Sequence, residues 1–159
     1  MLLGSCLAGM AFANAPVGAV HALAYPLGTQ FKVPHGLSIS LMLPHVMRFN
    51  AQQDNARNLY ATVAPSLLPG FDPTIPAHKR PKEKYVADYE RANMSDALIA
   101  YFARLPTELG IPTTLAEVGV APEDVPRLTA EAMLQTRLLP NNPRAVEEED
   151  AAELYRAAL

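Results

Sequence analysis

Two histidines in a nearly uncharged stretch are the residues of this chain best suited to chemistry. His21 and His35 stand fourteen positions apart in HALAYPLGTQFKVPHG, residues 21–36. A neutral imidazole is a good ligand for divalent zinc or non-haem iron, because its ring nitrogen offers a lone pair. A histidine on an apolar helix face is more often a core residue. Each histidine is therefore open to both interpretations, a metal ligand or a packed core side chain.

Helical spacing favours the metal interpretation. His21 and Tyr25 are one i,i+4 step apart, so both side chains should point to the same side of a predicted helix. His35 lies where the next helix is predicted to begin, and the partial positive charge of a helix N-terminus favours an uncharged side chain there. The segment from Gly28 to Pro34 is a predicted loop. This loop should reverse the direction of the chain and so bring the two imidazole rings close together.

Two imidazoles make only half of a metal site. A catalytic zinc or iron usually takes at least three protein ligands and keeps one position open for substrate. His45 lies beyond Pro44, about three turns along the same predicted helix as His35. His78 lies in a proline-rich stretch. Neither is placed to complete the set, so spacing alone predicts a half-site.

Composition predicts one globular domain. The chain has 159 residues, of which 50% are hydrophobic and 18% are charged, within the range of folded proteins. The net charge of -3 gives no broad attraction to nucleic acid or anionic lipid. A local basic cluster is interpreted as a solvated loop; it comprises Lys79, Arg80, Lys82 and Lys84. The single cysteine, Cys6, lies in an apolar run and predicts a buried thiol in a reducing compartment such as the cytoplasm.

The N-terminus has some features of a targeting segment. Residues 1–31 contain no charged residue, and Ala13-Asn14-Ala15 resembles the cleavage site of a signal peptide. No basic residue precedes the apolar run, and Gly4, Ser5 and Gly9 dilute it below a typical signal or membrane span. A cytoplasmic protein with no membrane segment is the expectation, with secretion as the alternative.

Hydrophobic periodicity predicts an all-α, bundle-like domain of about seven helices. Long runs of alternating Val, Ile and Thr are missing. The predicted helices run over residues 2–10, from 16 to Pro26 and Gly28, over 35–49, 95–105, 114–119 and 122–134, and from 143 to 159. The first three are apolar on most faces and are expected to be buried. Ser95 is the expected N-cap of the fourth, and Leu134 is expected to face inward from the sixth. Five prolines between Pro65 and Pro81 predict a long surface connection within the domain.

One stretch resembles a known family. GMAFANAPVGAVHALAYPLGTQFKVPHGLSISLMLPHVMRFN, residues 9–50, resembles the signature region of the iron-containing (group III) alcohol dehydrogenases, and Asn141-Asn142-Pro143-Arg144 resembles that family near the other end. In such enzymes an N-terminal α/β domain binds NAD or NADP, and a C-terminal helical domain supplies most of a divalent metal site. The resemblance implies that His21 and His35 bind Fe²⁺ or Zn²⁺. It also implies that Phe12 lines the pocket where a small alcohol or aldehyde meets the nicotinamide.

The chain departs from the family pattern at two positions. Many members carry a histidine where this chain has Tyr25, although tyrosine variants, including the hydroxyacid-oxoacid transhydrogenase branch, look similar. The resemblance implies a catalytic role for Tyr25 in orienting a proton or the substrate, and leaves a parent enzyme of the transhydrogenase type as an alternative. Ile39 replaces an asparagine that is common in the motif.

The resemblance also implies parts that these residues do not contain. The family's other two metal ligands, an aspartate and a histidine, lie upstream of the position that matches Met1, as does its dinucleotide-binding domain. No glycine-rich strand-to-helix fingerprint occurs in the sequence. Residues 1–159 are therefore expected to be a truncated C-terminal metal-binding domain that is inactive alone. The alternative is a noncatalytic helical interaction module that forms a homo-oligomer or associates with a cofactor-binding domain.

Overall fold

The described part of the chain is entirely helical. The computed structural model describes residues 2–68 and 91–159, and within them it contains seven α-helices and no strand. This confirms the all-α prediction. The helices are α1 (Leu2–Asn14), α2 (Ala19–Phe31), α3 (His35–Asn50), α4 (Asp54–Leu67), α5 (Arg91–Leu109), α6 (Val125–Met133) and α7 (Glu148–Ala158).

Two apolar clusters hold the helices together. The larger one joins α2, α3, α6 and α7, and its fully buried side chains include Leu23, Leu27, Leu128 and Tyr155. The smaller one joins the end of α3 to α4 and α5; it contains Met47, Ala51, Ala64, Met94, Leu98 and Ile99. The helices α2 and α3, which carry the candidate ligands, therefore rest on both α6 and α7 rather than on each other alone.

The second helix is longer than predicted. It continues through Pro26 and Gly28 to Phe31, and it ends at Lys32, whose φ of 57° is left-handed. The amides of Lys32 and Val33 both donate to the Leu27 carbonyl and close the helix. The predicted Gly28–Pro34 loop is thus reduced to the three residues before His35.

Burial and a hydroxyl group explain why Pro26 does not end α2. Proline has no N–H, so it removes a hydrogen bond from the preceding turn. The carbonyl that loses its amide donor is that of Ala22, and the Tyr155 hydroxyl donates to the neighbouring Leu23 carbonyl at 2.7 Å, which ties this turn to α7. Pro26 itself is fully buried beside Leu23 and Leu27. Core packing and a donor from α7 therefore outweigh the local tendency of proline to break the helix.

The first helix contradicts its prediction. Every residue of α1 is exposed, including Leu2 at 90% and Leu7 at 56%, and Cys6 is exposed as well. The predictions of a buried helix and a buried thiol were wrong. Apolar periodicity indicates that one face of a helix needs a packing partner, but it does not show that the described residues supply that partner. Within the described residues, no single helix is long and apolar enough to cross a membrane.

The sequence analysis overlooked α4. Its Pro65 lies in the last turn, where the missing N–H removes a single hydrogen bond near the helix end. The first residues of the predicted proline-rich connection are therefore helical, since α4 continues to Leu67. The remainder of that connection, with His78 and the basic cluster, lies outside the described residues.

Two further side chains differ from their predicted positions. Ser95 is not an N-cap, because α5 already begins at Arg91 and the Ser95 side chain is buried within it. Leu134 is 74% exposed, because α6 ends at Met133 and the chain turns away from the core there. By contrast, Gly119, with a φ of 88°, ends the short 3₁₀ helix Ala116–Val118 where the sequence predicted a stop.

A pair of asparagine side chains connects distant parts of the chain. Asn142 donates to the Asn50 side-chain oxygen at 2.7 Å, and Asn50 donates back at 3.2 Å. The Ala19 amide, at the start of α2, donates to the same Asn142 oxygen at 3.4 Å. At Gly18 an added Cβ would lie 3.1 Å from the Asn142 Cα, so a larger residue would press against the Asn142 backbone. We call this group of Gly18, Ala19, Asn50 and Asn142 the asparagine clamp.

Removing one partner of the clamp should destabilise the fold. Asn142→Ala leaves the side-chain oxygen of the buried Asn50 without its Asn142 donor, so the free energy of unfolding should fall by about 1–3 kcal/mol. Urea denaturation followed by far-UV circular dichroism measures the change. The matched control is Asn58→Ala on the exposed face of α4, which should stay within about 0.5 kcal/mol of the parent. Equal effects of the two substitutions would contradict a stabilising role for the clamp.

Candidate metal centre

The structure brings three of the predicted site residues together. The ring centroids of His21 and His35 are 5.3 Å apart. The Tyr25 ring lies 6.4 Å from His21 and 6.1 Å from His35. The cluster is open to solvent on one side, since His35 is exposed and Tyr25 is 39% exposed. A small molecule could therefore reach all three side chains.

The two imidazoles have a separation that suits one metal ion. Two rings bound to one ion through bonds of about 2.1 Å, at a near-tetrahedral angle, place their centroids about 5 Å apart. The observed 5.3 Å agrees with this value. In the part of the chain that the structure describes, no further His, Cys, Asp or Glu joins them to form a group of three. These residues therefore offer two protein ligands.

The surroundings of His21 favour the neutral imidazole. Partial burial lowers the pKa of His21 below its usual 6.5, and the neighbouring His35 lowers the same pKa further. A proton on His21 would compete directly with a metal for the ring nitrogen. The electrostatics of the pair therefore suit a metal ligand near neutral pH.

Different local hydrogen bonds position the two histidines. His21 is the third residue of α2, and its amide donates to the Gly18 carbonyl at 3.2 Å. The asparagine clamp fixes that same first turn. His35 is the first residue of α3 and follows Pro34. The buried Ser38 hydroxyl donates to the Pro34 carbonyl at 3.3 Å and holds this turn.

The fourth predicted site residue, Phe12, and the further histidine His45 lie apart from the cluster. Phe12 is 55% exposed on α1, and among the described residues its ring is not one of those that contact the cluster. His45 is half-buried further along α3, where burial and then the charge of Arg48 lower its pKa. The structure therefore assembles three of the four predicted site residues.

The sequence analysis missed a pocket next to the cluster, with a carboxylate in its wall. Its volume is about 350 Å³, and Tyr25 and His35 form part of its wall. The Glu131 carboxylate on α6 lines it and accepts hydrogen bonds from the Thr29 hydroxyl, at 2.7 Å, and from the Gln30 amide. These partners are about a hundred positions away in the chain. No local motif could have linked Glu131 to the histidines.

Known proteins have a similar fold and a similar sequence. A model of the Fe-containing alcohol dehydrogenase family, C-terminal part, matches residues 1–159. Lactaldehyde reductase of Escherichia coli is 38% identical over 158 residues, covering 99% of this chain and 37% of that protein. Long-chain-alcohol dehydrogenase 1 of Geobacillus thermodenitrificans is 35% identical, covering 99% and 36%. A solved 1,3-propanediol oxidoreductase is 31% identical with a TM-score of 0.78, covering 96% and 35%.

The alignments cover nearly all of this chain but only part of each relative. The chain spans little more than a third of the length of the proteins that it matches. The family model nevertheless covers every residue, and the fold superposes on that of the solved relative over 96% of this chain. This chain therefore belongs to the iron-containing alcohol dehydrogenase family, and it corresponds to the C-terminal part of that family's proteins.

Proposed function

We propose that this chain provides the metal-binding helical part of a metal-dependent, NAD(P)-linked alcohol dehydrogenase. His21 and His35 would hold a divalent iron or zinc ion. The observation that carries the proposal is the 5.3 Å separation of the two imidazole rings on an open surface. The ion supplies Lewis-acid chemistry that favours the alkoxide form of an alcohol. A short alcohol or aldehyde would be the substrate, as the names of the relatives suggest.

Tyr25 has the position of a group that handles the substrate. Its ring lies about 6 Å from both histidine rings, and it is more exposed than the core around it. In oxidation the alcohol loses a hydride to NAD(P)⁺ and a proton from its hydroxyl group. The Tyr25 hydroxyl would orient that hydroxyl group or pass its proton to solvent. Phe12 would form an apolar wall once α1 is covered.

The proposal requires groups beyond these residues. The described residues offer two protein ligands, and the sequence contains no glycine-rich dinucleotide fingerprint. A cofactor-binding domain, in a longer chain or in a separate one, would supply the remaining ligands and NAD or NADP. We infer that the 159 residues bind metal but do not transfer hydride by themselves.

Metal binding tests the proposal directly. The purified chain should bind one Zn²⁺ per molecule under reducing conditions, measured by titration calorimetry in a Cys6→Ser background that removes the exposed thiol. His21→Ala combined with His35→Ala should weaken this binding at least about tenfold, because both ring nitrogens are lost. The matched control is His45→Ala, which removes a histidine of α3 outside the cluster. Binding that survives the double substitution, or that is lost equally in the control, would refute the half-site.

The titration of His21 tests the electrostatics of the site. Burial and then His35 lower the pKa of His21, so its NMR midpoint should lie below 6.5 in the metal-free chain. The unfolded chain takes up this proton more readily, so acidification through this range should favour unfolding. In His35→Ala the midpoint should rise but stay below 6.5, since burial is the larger cause. A midpoint at or above 6.5 in the parent chain would contradict the described environment.

The exposed first helix favours a second candidate function, a noncatalytic interaction module. Leu2, Leu3, Leu7 and Met10 are each more than half exposed on α1. Apolar surface of this kind drives association between protein chains. The module and the metal-binding part are compatible, because α1 and the histidine cluster occupy different elements.

Self-association tests this second candidate. The chain should show concentration-dependent association in sedimentation velocity experiments, and Leu3→Ser combined with Leu7→Ser should shift it towards the monomer, because two exposed apolar side chains are removed. Leu134→Ser is the control, since this side chain is 74% exposed but lies outside α1. A monomeric parent chain at the highest soluble concentration would exclude the interaction module.

A further inference from the structure

A proline separates the two histidines along α2. His21 lies before Pro26, in the turn that the asparagine clamp holds, whereas His35 follows the short turn at the other end of the helix. A proline inside a helix removes one hydrogen bond of the ladder, and helices commonly kink there. Both parts of α2 must therefore be fixed if the imidazole rings are to keep one separation.

The turn that carries His35 rests on the last part of α2. The Val33 amide donates to the Leu27 carbonyl at 3.3 Å. An added Cβ at Gly28 would lie 3.7 Å from the Val33 carbonyl oxygen, so the chain folds back over the helix before α3 begins. A tilt of this last part of α2 would therefore move His35 with it.

A small tilt would be enough to disturb the histidine pair. A tilt of about 20° at Pro26 moves a residue four positions further along by about 2 Å, given a rise of about 1.5 Å per residue. Distances between a metal and its ligands vary by only about 0.2 Å. The observed 5.3 Å between the ring centroids therefore depends on how firmly the end of α2 is held.

Glu131 on α6 holds the end of α2. Its carboxylate accepts hydrogen bonds from the Thr29 hydroxyl at 2.7 Å and from the Gln30 amide, so one side chain binds two successive residues of α2. One turn earlier on α6, the Arg127 guanidinium lies 5.7 Å from the centre of the Phe31 ring. Apolar packing has no preferred direction, whereas hydrogen bonds depend on angle. The polar contacts therefore fix the rotation of α2 about its axis.

The Gln30 side chain depends on Glu131 for its orientation. A carboxylate can only accept hydrogen bonds, so Gln30 turns its amide nitrogen towards Glu131. The Gln30 side-chain oxygen is buried and has no hydrogen-bond partner in the part of the chain that the structure describes. The contact with Glu131 is therefore the hydrogen bond that orients this amide.

We propose that Glu131 is a positioning residue of the candidate metal centre. By holding the end of α2 against α6, it sets the place of His35 opposite His21. Within the described residues it does not join the histidines in a metal-binding group of three, so it acts through the helix and not as a ligand. The inference rests on the proposed function, because the separation of the imidazoles matters for a metal that both of them bind.

Two substitutions of Glu131 separate its position from its charge. Glu131→Ala removes both acceptors, and Zn²⁺ binding in the Cys6→Ser background should weaken about tenfold, the lower end of the usual effect of residues behind metal ligands. Glu131→Gln removes the charge but keeps the contacts, because the Gln30 amide can turn over and offer its unpaired oxygen to the introduced amide nitrogen. Its Zn²⁺ affinity should stay within about threefold of the parent. Equal losses in both variants would show an effect of charge and overturn the inference.

Breaking the same contacts from α2 should have the same effect. Thr29→Val combined with Gln30→Met keeps the approximate size of both side chains, removes both donors and should also weaken Zn²⁺ binding about tenfold. Glu153→Ala, on the exposed face of α7, is the matched control and should bind Zn²⁺ like the parent. Affinities are compared at a temperature at which urea denaturation shows each variant to be folded, and the α2 variant carries the test if Glu131→Ala does not fold. Parent-like affinity in the α2 variant would refute the positioning role.

A measurement without metal separates this inference from the proposed function. In the metal-free chain, nuclear Overhauser effects between the ring protons of His21 and His35 report their separation. We expect cross-peaks in the parent chain and in Glu131→Gln, and their loss in Glu131→Ala. Unchanged cross-peaks in Glu131→Ala would refute the positioning role alone. Zn²⁺ binding by the parent chain that does not need the two histidines would refute the metal centre, while the cross-peaks would still show whether Glu131 positions the rings.

Discussion

The arrangement of the candidate site depends on two amide side chains that bind each other. The Asn142–Asn50 pair joins the segment before α7 to the end of α3, and Asn142 also accepts the first amide of α2. An α-helix is stiff over its length, so fixing one end of α2 and one end of α3 restricts the direction of both. The histidines lie on these two helices. Their separation is therefore a property of the whole C-terminal half and not only of the short turn between them.

A second constraint acts at the other end of α2. Pro26 has no N–H to donate to the Ala22 carbonyl, and the Tyr155 hydroxyl ties the same turn to α7 by donating to the neighbouring Leu23 carbonyl. The Glu131 contacts with Thr29 and Gln30 then tie the last turns of α2 to α6. The helix that carries His21, Tyr25 and Thr29 is thus held by α6 and α7 along its length. Of the residues in these contacts, Thr29 and Glu131 also line the pocket.

Local sequence patterns predicted most of the helices, but they did not predict which distant segments these helices contact. Apolar spacing located α2, α3, α5, α6 and α7, and the i,i+4 relation of His21 and Tyr25 placed them on one side of α2. Glycine and proline were weaker guides: Pro26 and Pro65 lie inside helices, because burial and position near a helix end offset the lost hydrogen bonds. The exposure of α1 and the approach of Glu131 to the site depend on contacts between distant segments. No periodicity within one element encodes such contacts.

The clamp also orders events during synthesis of the chain. The two histidines are separated by a single short turn, so they meet as soon as α2 and α3 form a hairpin. Asn142 lies 123 positions after Ala19, so it leaves the ribosome long after both histidines. The imidazole pair therefore exists first as a loosely held hairpin, and it acquires its final geometry only when the C-terminal segment docks. Maturation of the site therefore waits until the segment around Asn142 has been synthesised.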